Sequence, residues 1–253
     1  MQDERFARIE LLIGAEALSR LTASFVTVVG LGAVGSYAVE GLARAGIGRL
    51  RLVDFDVVRQ SNINRQLYAL DSTVGTPKVD VARQRIADIN PACAVETLRL
   101  FAHVETMGAI LAGPPDLVVD AIDSVRPKIE LITAVLDRGI RLVSCMGAAL
   151  RTDPLCVRVG PLSETIRCPL ARQIRRRLRR RGVSTDFPSV YSIEPVAPGA
   201  VEKQGDPAKP AHTLVRGRTR TILGSLPTLT GIVGLTAANE AIHILAGLPG
   251  SRS

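Results

Sequence analysis

An apolar run, Phe25 to Val29, enters Gly30-Leu31-Gly32-Ala33-Val34-Gly35, and a second, Arg49 to Val53, ends on Asp54-Phe55-Asp56. Between a strand and a helix, the first glycine permits a tight turn and the second lets backbone amides approach a phosphate. The third lets helix and strand lie close together. The helix that follows aims its amide end and positive dipole at the same anion. Asp54, 19 positions beyond Gly35, stands where a carboxylate would bond a ribose hydroxyl. These residues alone specify a nucleotide with a ribose. Arg65 and Lys78, with the amides of Asn62 and Gln66, narrow the choice. Two further cations suit a triphosphate and its metal better than a nicotinamide dinucleotide. The reading is an ATP site with Gly30, Gly32, Gly35, Asp54, Asp56, Asn62, Arg65, Gln66 and Lys78 in contact with the nucleotide. Asp56 could equally cap the next turn, and Asn62 and Gln66 could be turn formers.

Asp120 and Asp123 follow the apolar run Leu117 to Val119, at a strand end where ligands collect. A carboxylate there could hold magnesium that bridges phosphate oxygens. Asp123 is the favoured metal ligand, and Asp120 has the alternative of a strand-end hydrogen bond. His103, His212 and His243 share no motif, and no nucleophile–base pair emerges. Cys93, Cys145, Cys156 and Cys168 are dispersed without a Cys-x-x-Cys pair, which argues against a zinc ribbon and a disulfide framework. Cys168 opens a basic stretch where a thiol pKa could be lowered, or it is a small helix-start residue before Pro169.

That basic stretch dominates the charge. Arg172, Arg175, Arg176, Arg177, Arg179, Arg180 and Arg181 lie within ten positions, and without these seven the formal charge falls from +8 to +1. Seven like charges on a merely solvated face would repel one another. Against RNA, seven phosphate contacts would give a salt slope of roughly −5 on log scales. With 3 tyrosines, 5 phenylalanines and no tryptophan, recognition would rest on shape and phosphate more than on base stacking. Arg172, Arg175, Arg176, Arg179 and Arg180 are the candidate contacts, and an acidic protein partner is the alternative.

The elements that must position these residues alternate. The apolar spacing predicts an amphipathic helix over 5–21, strands over 25–29, 50–53, 95–100, 117–119 and 141–144, and helices over 34–45, 78–89, 104–111 and 127–137. This order predicts an α/β, Rossmann-like, mostly parallel sheet with helices on both faces and the ligand at the carboxyl ends of its strands. After residue 150 the alternation gives way to a C-terminal strand/helix elaboration. It comprises a strand over 153–159, the basic helix over 165–181, a short strand over 190–194 and a final helix over 226–245. Residues 197–212, rich in proline and poor in apolar content, read as a mobile loop. The whole is expected to be one domain: a nucleotide-binding core over 1–150 and a substrate-binding and dimerisation elaboration over 151–253. With 46% apolar residues among 253 there is ample material for a core. No uncharged apolar run of about 18 residues occurs, so no membrane span is expected. Met1-Gln2-Asp3-Glu4-Arg5 lacks the features of a signal peptide, so a cytoplasmic protein is expected.

Taken in order, Arg5-Phe6-Ala7-Arg8, the glycine run, Asp54-Phe55-Asp56, Asn62-Ile63-Asn64-Arg65-Gln66, Val74-Gly75-Thr76-Pro77-Lys78 and Asp120-Ala121-Ile122-Asp123 resemble the ubiquitin-activating-enzyme-like superfamily, the ThiF-type adenylating fold. Within it, Asp120 to Lys128 and Thr165 to Ala171, leading into a basic helix, resemble the bacterial tRNA threonylcarbamoyladenosine dehydratases. The resemblance implies ATP-dependent cyclisation of that nucleoside in tRNA, beside the anticodon. The threonyl carboxylate would be adenylated, and the ring would close within the same modification. It implies Asp54 on the ribose, catalytic Arg65 and Lys78 on the phosphates, and Asp123 on magnesium. Arg8 matches an arginine that some relatives reach across a homodimer to the partner's ATP, and the resemblance also leaves room for a sulfurtransferase partner. In one departure, Phe187-Pro188-Ser189 stands where relatives often carry a cysteine. Three rival readings are adenylation of a sulfur-carrier protein's C-terminal glycine, a nicotinamide-dependent dehydrogenase, and a non-catalytic adaptor. The dehydrogenase leaves Arg65 and Lys78 unexplained.

Overall fold

The structure, a computed structural model, describes residues 4–196, 201–202 and 222–249. Helices α1 (Ala7–Ile13) and α2 (Ala15–Ala23) replace the single helix expected over 5–21. Gly14 between them sits at φ +86°, a left-handed conformation that interrupts the helix. Next come β1 (Phe25–Val29), α3 (Gly35–Arg44), β2 (Arg49–Val53), α4 (Lys78–Ile89) and β3 (Ala94–Leu98). The helix expected over 104–111 is reduced to a 3₁₀ turn at Val104–Thr106 and a single turn, α5 (Met107–Ile110). The strands and helices β4 (Leu117–Asp120), α6 (Val125–Leu136) and β5 (Arg141–Cys145) complete the alternation.

Beyond residue 150 the boundaries shift for identifiable reasons. Pro154 opens a 3₁₀ turn capped by the Asp153 carboxylate, which accepts from Leu155 N at 2.8 Å, so the strand expected over 153–159 begins late, as β6 (Val157–Pro161). The basic helix α7 (Pro169–Arg179) is shorter than the expected 165–181, because Cys168 precedes a proline and is extended. Strand β7 (Pro188–Ser192) lies earlier than the expected 190–194. Within the segment expected as a mobile loop, β8 (Val201–Glu202) pairs antiparallel with β9 (Ile222–Leu223). The rest of the 197–212 segment, His212 included, lies outside the described residues. The last helix, α8 (Pro227–Ala246), opens on a proline and closes on Gly247 at φ +68°.

The main sheet runs β3-β2-β1-β4-β5-β7-β6, and every neighbouring pair is parallel except β6 with β7. Helices α3, α4 and α8 cover one face, burying Leu42, Val79, Ile86 and Ala237. Helices α5, α6 and α7 cover the other, burying Ile110, Ile132, Ile174 and Leu178. The expected α/β fold with helices on both faces is therefore present. By length and composition α8 could cross a membrane, but 61% of its apolar window is buried, and its main neighbour is α3. The two helices approach closely because a side chain on Gly234 would collide with the Val34 carbonyl, and one on Gly41 with Ala238.

The register fixes the site. Val29 stands opposite both Val53 and Asp120, and Asp120 opposite Ser144, so four strands end in one row. The glycine turn, Asp54 and the Asp120–Asp123 loop all leave from that row.

Candidate active site

The glycine turn is built as its spacing predicts. Gly30 sits at φ +92°, and a Cβ there would lie 2.9 Å from the Ala121 carbonyl oxygen. A Cβ on Gly35 would collide with the Gly30 carbonyl. Gly32 faces open space, its nearest neighbour being Gln66 Nε2 at 3.8 Å from where a Cβ would stand. Val34, the residue ahead of α3, offers no side-chain cap, which leaves that helix end open to an anion.

Asp54 is buried and works on the turn itself. One carboxylate oxygen accepts from Leu31 N at 2.7 Å and the other from Asp56 N at 2.8 Å. Burial pushes its pKa above the ordinary carboxylate value, against the pull of Lys78 and of the two backbone amides. Each oxygen keeps a lone pair that can accept from a ribose hydroxyl. Lys78 is also buried, at 5% exposure, and pairs with Asp56 at 3.4 Å, while its own amide donates to the Asp56 carbonyl at 3.1 Å. Asp56 thus holds the lysine rather than capping a turn.

The 62–66 turn is tied to the start of α3, where Leu67 N donates to Ser36 Oγ at 3.2 Å. Asn62 is buried and accepts from Arg59 N at 3.1 Å, so its carbonyl serves the turn. Arg65 is half-buried, with Nη1 donating to the Ser61 carbonyl and to Asn64 Oδ1, both at 2.8 Å. These bonds leave its other guanidinium nitrogens for a ligand. Gln66 lies beside the glycine turn, its Nε2 being the nearest atom to where a Cβ on Gly32 would stand.

At the end of β4 a buried ion pair was not foreseen. Asp120 and Lys128 are both fully buried, and their Oδ2 and Nζ lie 2.7 Å apart. Ser144 Oγ donates to the same oxygen at 2.6 Å, Ile122 N donates to Oδ1 at 3.1 Å, and Lys128 Nζ donates to the Ile122 carbonyl at 2.9 Å. Asp120 is thereby the strand-end hydrogen-bond residue of the two readings. Lys128 had a sequence signal, for it falls on the buried stripe Lys128, Leu131, Ile132 and Val135, where an apolar residue belongs.

Asp123 is exposed and accepts from Ser124 Oγ at 3.0 Å. Among the described residues no group of three His, Cys, Asp or Glu side chains could cage a metal. An exposed carboxylate at this edge is of the chemical type that could take magnesium together with waters and phosphate oxygens. Three of the cysteines offer no ready thiolate. Burial pushes Cys145 up to about 12 and Cys93 up to about 11, and the Asp153 hydrogen bond raises Cys156. Cys168 is buried and caps α7, its sulfur accepting from Ala171 N at 3.5 Å, which matches the helix-start reading.

On α7 the buried face is Ala171, Ile174 and Leu178, while Arg172, Arg176, Arg177, Arg179 and Arg180 are exposed. Arg175 is turned inward. Its Nη1 donates to the Leu162 carbonyl at 3.2 Å, to the Thr165 carbonyl at 2.8 Å and to the Thr165 hydroxyl, which gives it a structural task. Arg8 is exposed on α1 and is not brought to the nucleotide edge of its own chain. The neighbouring Phe6 lies against Gly46, at the opposite, amino end of the sheet, its ring 3.3 Å from where a Cβ would stand.

Comparison with known proteins agrees with this geometry. The ThiF family model matches residues 6–253. The chain is 46% identical over 190 residues to the tRNA threonylcarbamoyladenosine dehydratase of Bacillus subtilis, covering 75% of each protein. It is 34% identical over 247 residues to dehydratase 2 of Saccharomyces cerevisiae, spanning 91% of this chain and 55% of the yeast protein. The solved structure of the Escherichia coli tRNA N6-threonylcarbamoyladenosine dehydratase in complex with ATP superimposes with a TM-score of 0.84 at 32% identity. That match covers 96% of this chain and 94% of the other.

Proposed function

The chain belongs to the ThiF family, and from that premise we propose that it is the ATP-dependent enzyme that removes water from threonylcarbamoyladenosine in tRNA. The observation that carries this reading is the row of strand ends at Val29, Val53 and Asp120. It sets an open glycine turn, Asp54 and the Asp123 loop at one edge of a fold that matches an ATP-bound dehydratase.

The chemistry follows from what this edge can hold. Asp54 accepts from the ribose, the amides at the start of α3 receive phosphate, and Lys78 and Arg65 face the charge that grows on the leaving pyrophosphate. A threonyl carboxylate oxygen attacks the α-phosphorus, and the bond to the bridging oxygen breaks. The products of that step are an acyl-adenylate and pyrophosphate. A ureido nitrogen of the same modification then attacks the acyl carbon, loses its proton and expels AMP. The sum is loss of one water from the nucleoside for each ATP cleaved to AMP and pyrophosphate. Ring closure is intramolecular, so orientation replaces an enzymic nucleophile, which agrees with thiols held protonated at Cys93, Cys145 and Cys156. Asp123 would hold magnesium, which supplies charge neutralisation at the phosphates.

The 151–253 region supplies the tRNA surface on α7. Arg8, remote from the nucleotide of its own chain, is suited to that of a second copy. Leu11 at 87% and Leu12 at 84% exposure place an apolar surface beside it, so the working unit is a homodimer. ATP and tRNA as substrates place its work in the cytoplasm. The test is incubation with magnesium-ATP and tRNA carrying threonylcarbamoyladenosine, followed by digestion and mass analysis of the nucleosides. Loss of one water with release of AMP is expected. An unchanged nucleoside, with pyrophosphate exchange appearing only on addition of a sulfur-carrier protein, would overturn the reading.

A further inference from the structure

Arg151 carries a buried guanidinium to which the chemistry above gives no task. At 3% exposure it places a cation inside the protein, and its partners among the described residues are backbone carbonyls. Nε donates to Glu194 O at 3.1 Å, Nη1 to Gly147 O at 2.6 Å and Ala149 O at 3.5 Å, and Nη2 to Arg167 O at 3.0 Å. The fork thereby gathers the loop that leaves β5, the turn that precedes α7 and the end of β7. Glu194 returns the tie, its carboxylate accepting from Thr152 N at 2.9 Å and Asp153 N at 2.8 Å.

Two further observations single out this junction. Leu150 at φ +64° and Arg167 at φ +54° are the non-glycine residues with left-handed backbone among those described, and both border the fork. Each such conformation is disfavoured for a residue with a Cβ and persists only where the surroundings over-determine it. The junction also joins the two halves of the proposed active site. Ser144, on β5, bonds Asp120 at the nucleotide edge. A short step on, a Cβ at Gly147 would stand 3.7 Å from Leu170 and 3.9 Å from the sulfur of Cys168, at the start of α7.

We propose that Arg151 is a positioning residue that couples tRNA held on α7 to the adenylation edge, a role that rests on the tRNA reading above. By holding the carbonyls of Gly147, Ala149 and Arg167 on one rigid fork, it fixes the arginine face relative to bound ATP. The threonyl carboxylate is carried by the tRNA and the α-phosphorus by the nucleotide edge, so their separation depends on this junction. A lysine keeps the charge but not the planar fork that addresses three segments at set angles.

The experiment compares the full-length wild type with Arg151→Lys and Arg151→Met, each first checked for cooperative unfolding. Three quantities are read: ATP affinity, tRNA affinity, and the single-turnover rate of AMP formation with both substrates saturating. The proposal expects the rate to fall about 10- to 100-fold with both affinities unchanged, since a small misplacement of the reacting groups costs that much. A folded Lys variant with the wild-type rate would overturn it. So would parallel loss of rate and of either affinity, the mark of a merely structural arginine. If Arg151→Met does not fold, Arg151→Lys decides. A wild-type protein that leaves the nucleoside unchanged would instead remove the functional reading on which the proposal rests.

Discussion

Replacing Lys128 by Met should damage stability and ATP binding together. Lys128 and Asp120 are both fully buried and 2.7 Å apart, so loss of the ammonium strands a carboxylate in the interior. Asp120 would keep the Ser144 hydroxyl and the Ile122 amide, while the Ile122 carbonyl would lose its donor at 2.9 Å. Breaking one side of a buried pair costs about 3–5 kcal/mol. For a domain of this size that lowers Tm by about 6–20 °C. The damage also has a local reading. The Ala121 carbonyl abuts the Gly30 turn, 2.9 Å from where a Cβ would stand, so a displaced 121–123 loop disturbs the phosphate-binding turn and the Asp123 carboxylate. The assay is thermal and urea unfolding of Lys128→Met, Asp120→Asn and the double variant, with ATP titrations on each. In the double variant an amide can accept from Ile122 N and donate to Ser144 Oγ, so most of the lost stability should return. A single variant within about 1 kcal/mol of wild type, or a double variant no better than Lys128→Met, would show that the buried pair does not hold this loop.

Asp54→Asn puts an amide donor against either Leu31 N or Asp56 N, and the loss of a charge-assisted bond should weaken ATP binding about tenfold to a hundredfold by calorimetry. Replacing Arg172, Arg176, Arg179 and Arg180 together by Ala should weaken tRNA binding and flatten its salt slope by about 3 on log scales. Arg175→Ala should lower Tm and leave that slope in place, because its guanidinium is spent on Leu162 and Thr165. Glu40 gives a pH test. Burial raises its pKa, but the bonds from Arg85 and Arg44 outweigh burial and hold the folded value below the ordinary 4.5. A depressed carboxylate contributes stability above its unfolded pKa and loses it as pH falls through the folded value. Glu40→Gln should therefore cost about 1 kcal/mol near neutral pH, a difference that closes below 4.5 in unfolding curves taken across pH.

The glycine turn, Asp54 and the strand row were legible because a buried parallel strand is a short apolar run and the glycines answer to local steric demands. Lys128 was not, since a lone lysine reads as solvated until its place on a buried helical stripe is counted. Arg175 was hidden the same way, among arginines of one type whose differing faces only the Ala171, Ile174, Leu178 stripe separates. The late start of the basic helix was in principle readable from Cys168-Pro169. The left-handed backbone at Leu150 and Arg167 was not, because neither residue type asks for it, and long-range ties to Gly224 and Arg151 impose it.

The proposed reaction turns on attack of the threonyl carboxylate on the α-phosphorus of ATP. The most direct test labels that carboxylate with oxygen-18 in the tRNA, runs a single turnover and weighs the products. Attack at the α-phosphorus followed by ring closure predicts one labelled oxygen in AMP and none in pyrophosphate or water. Label in inorganic phosphate or water, with unlabelled AMP, would contradict it.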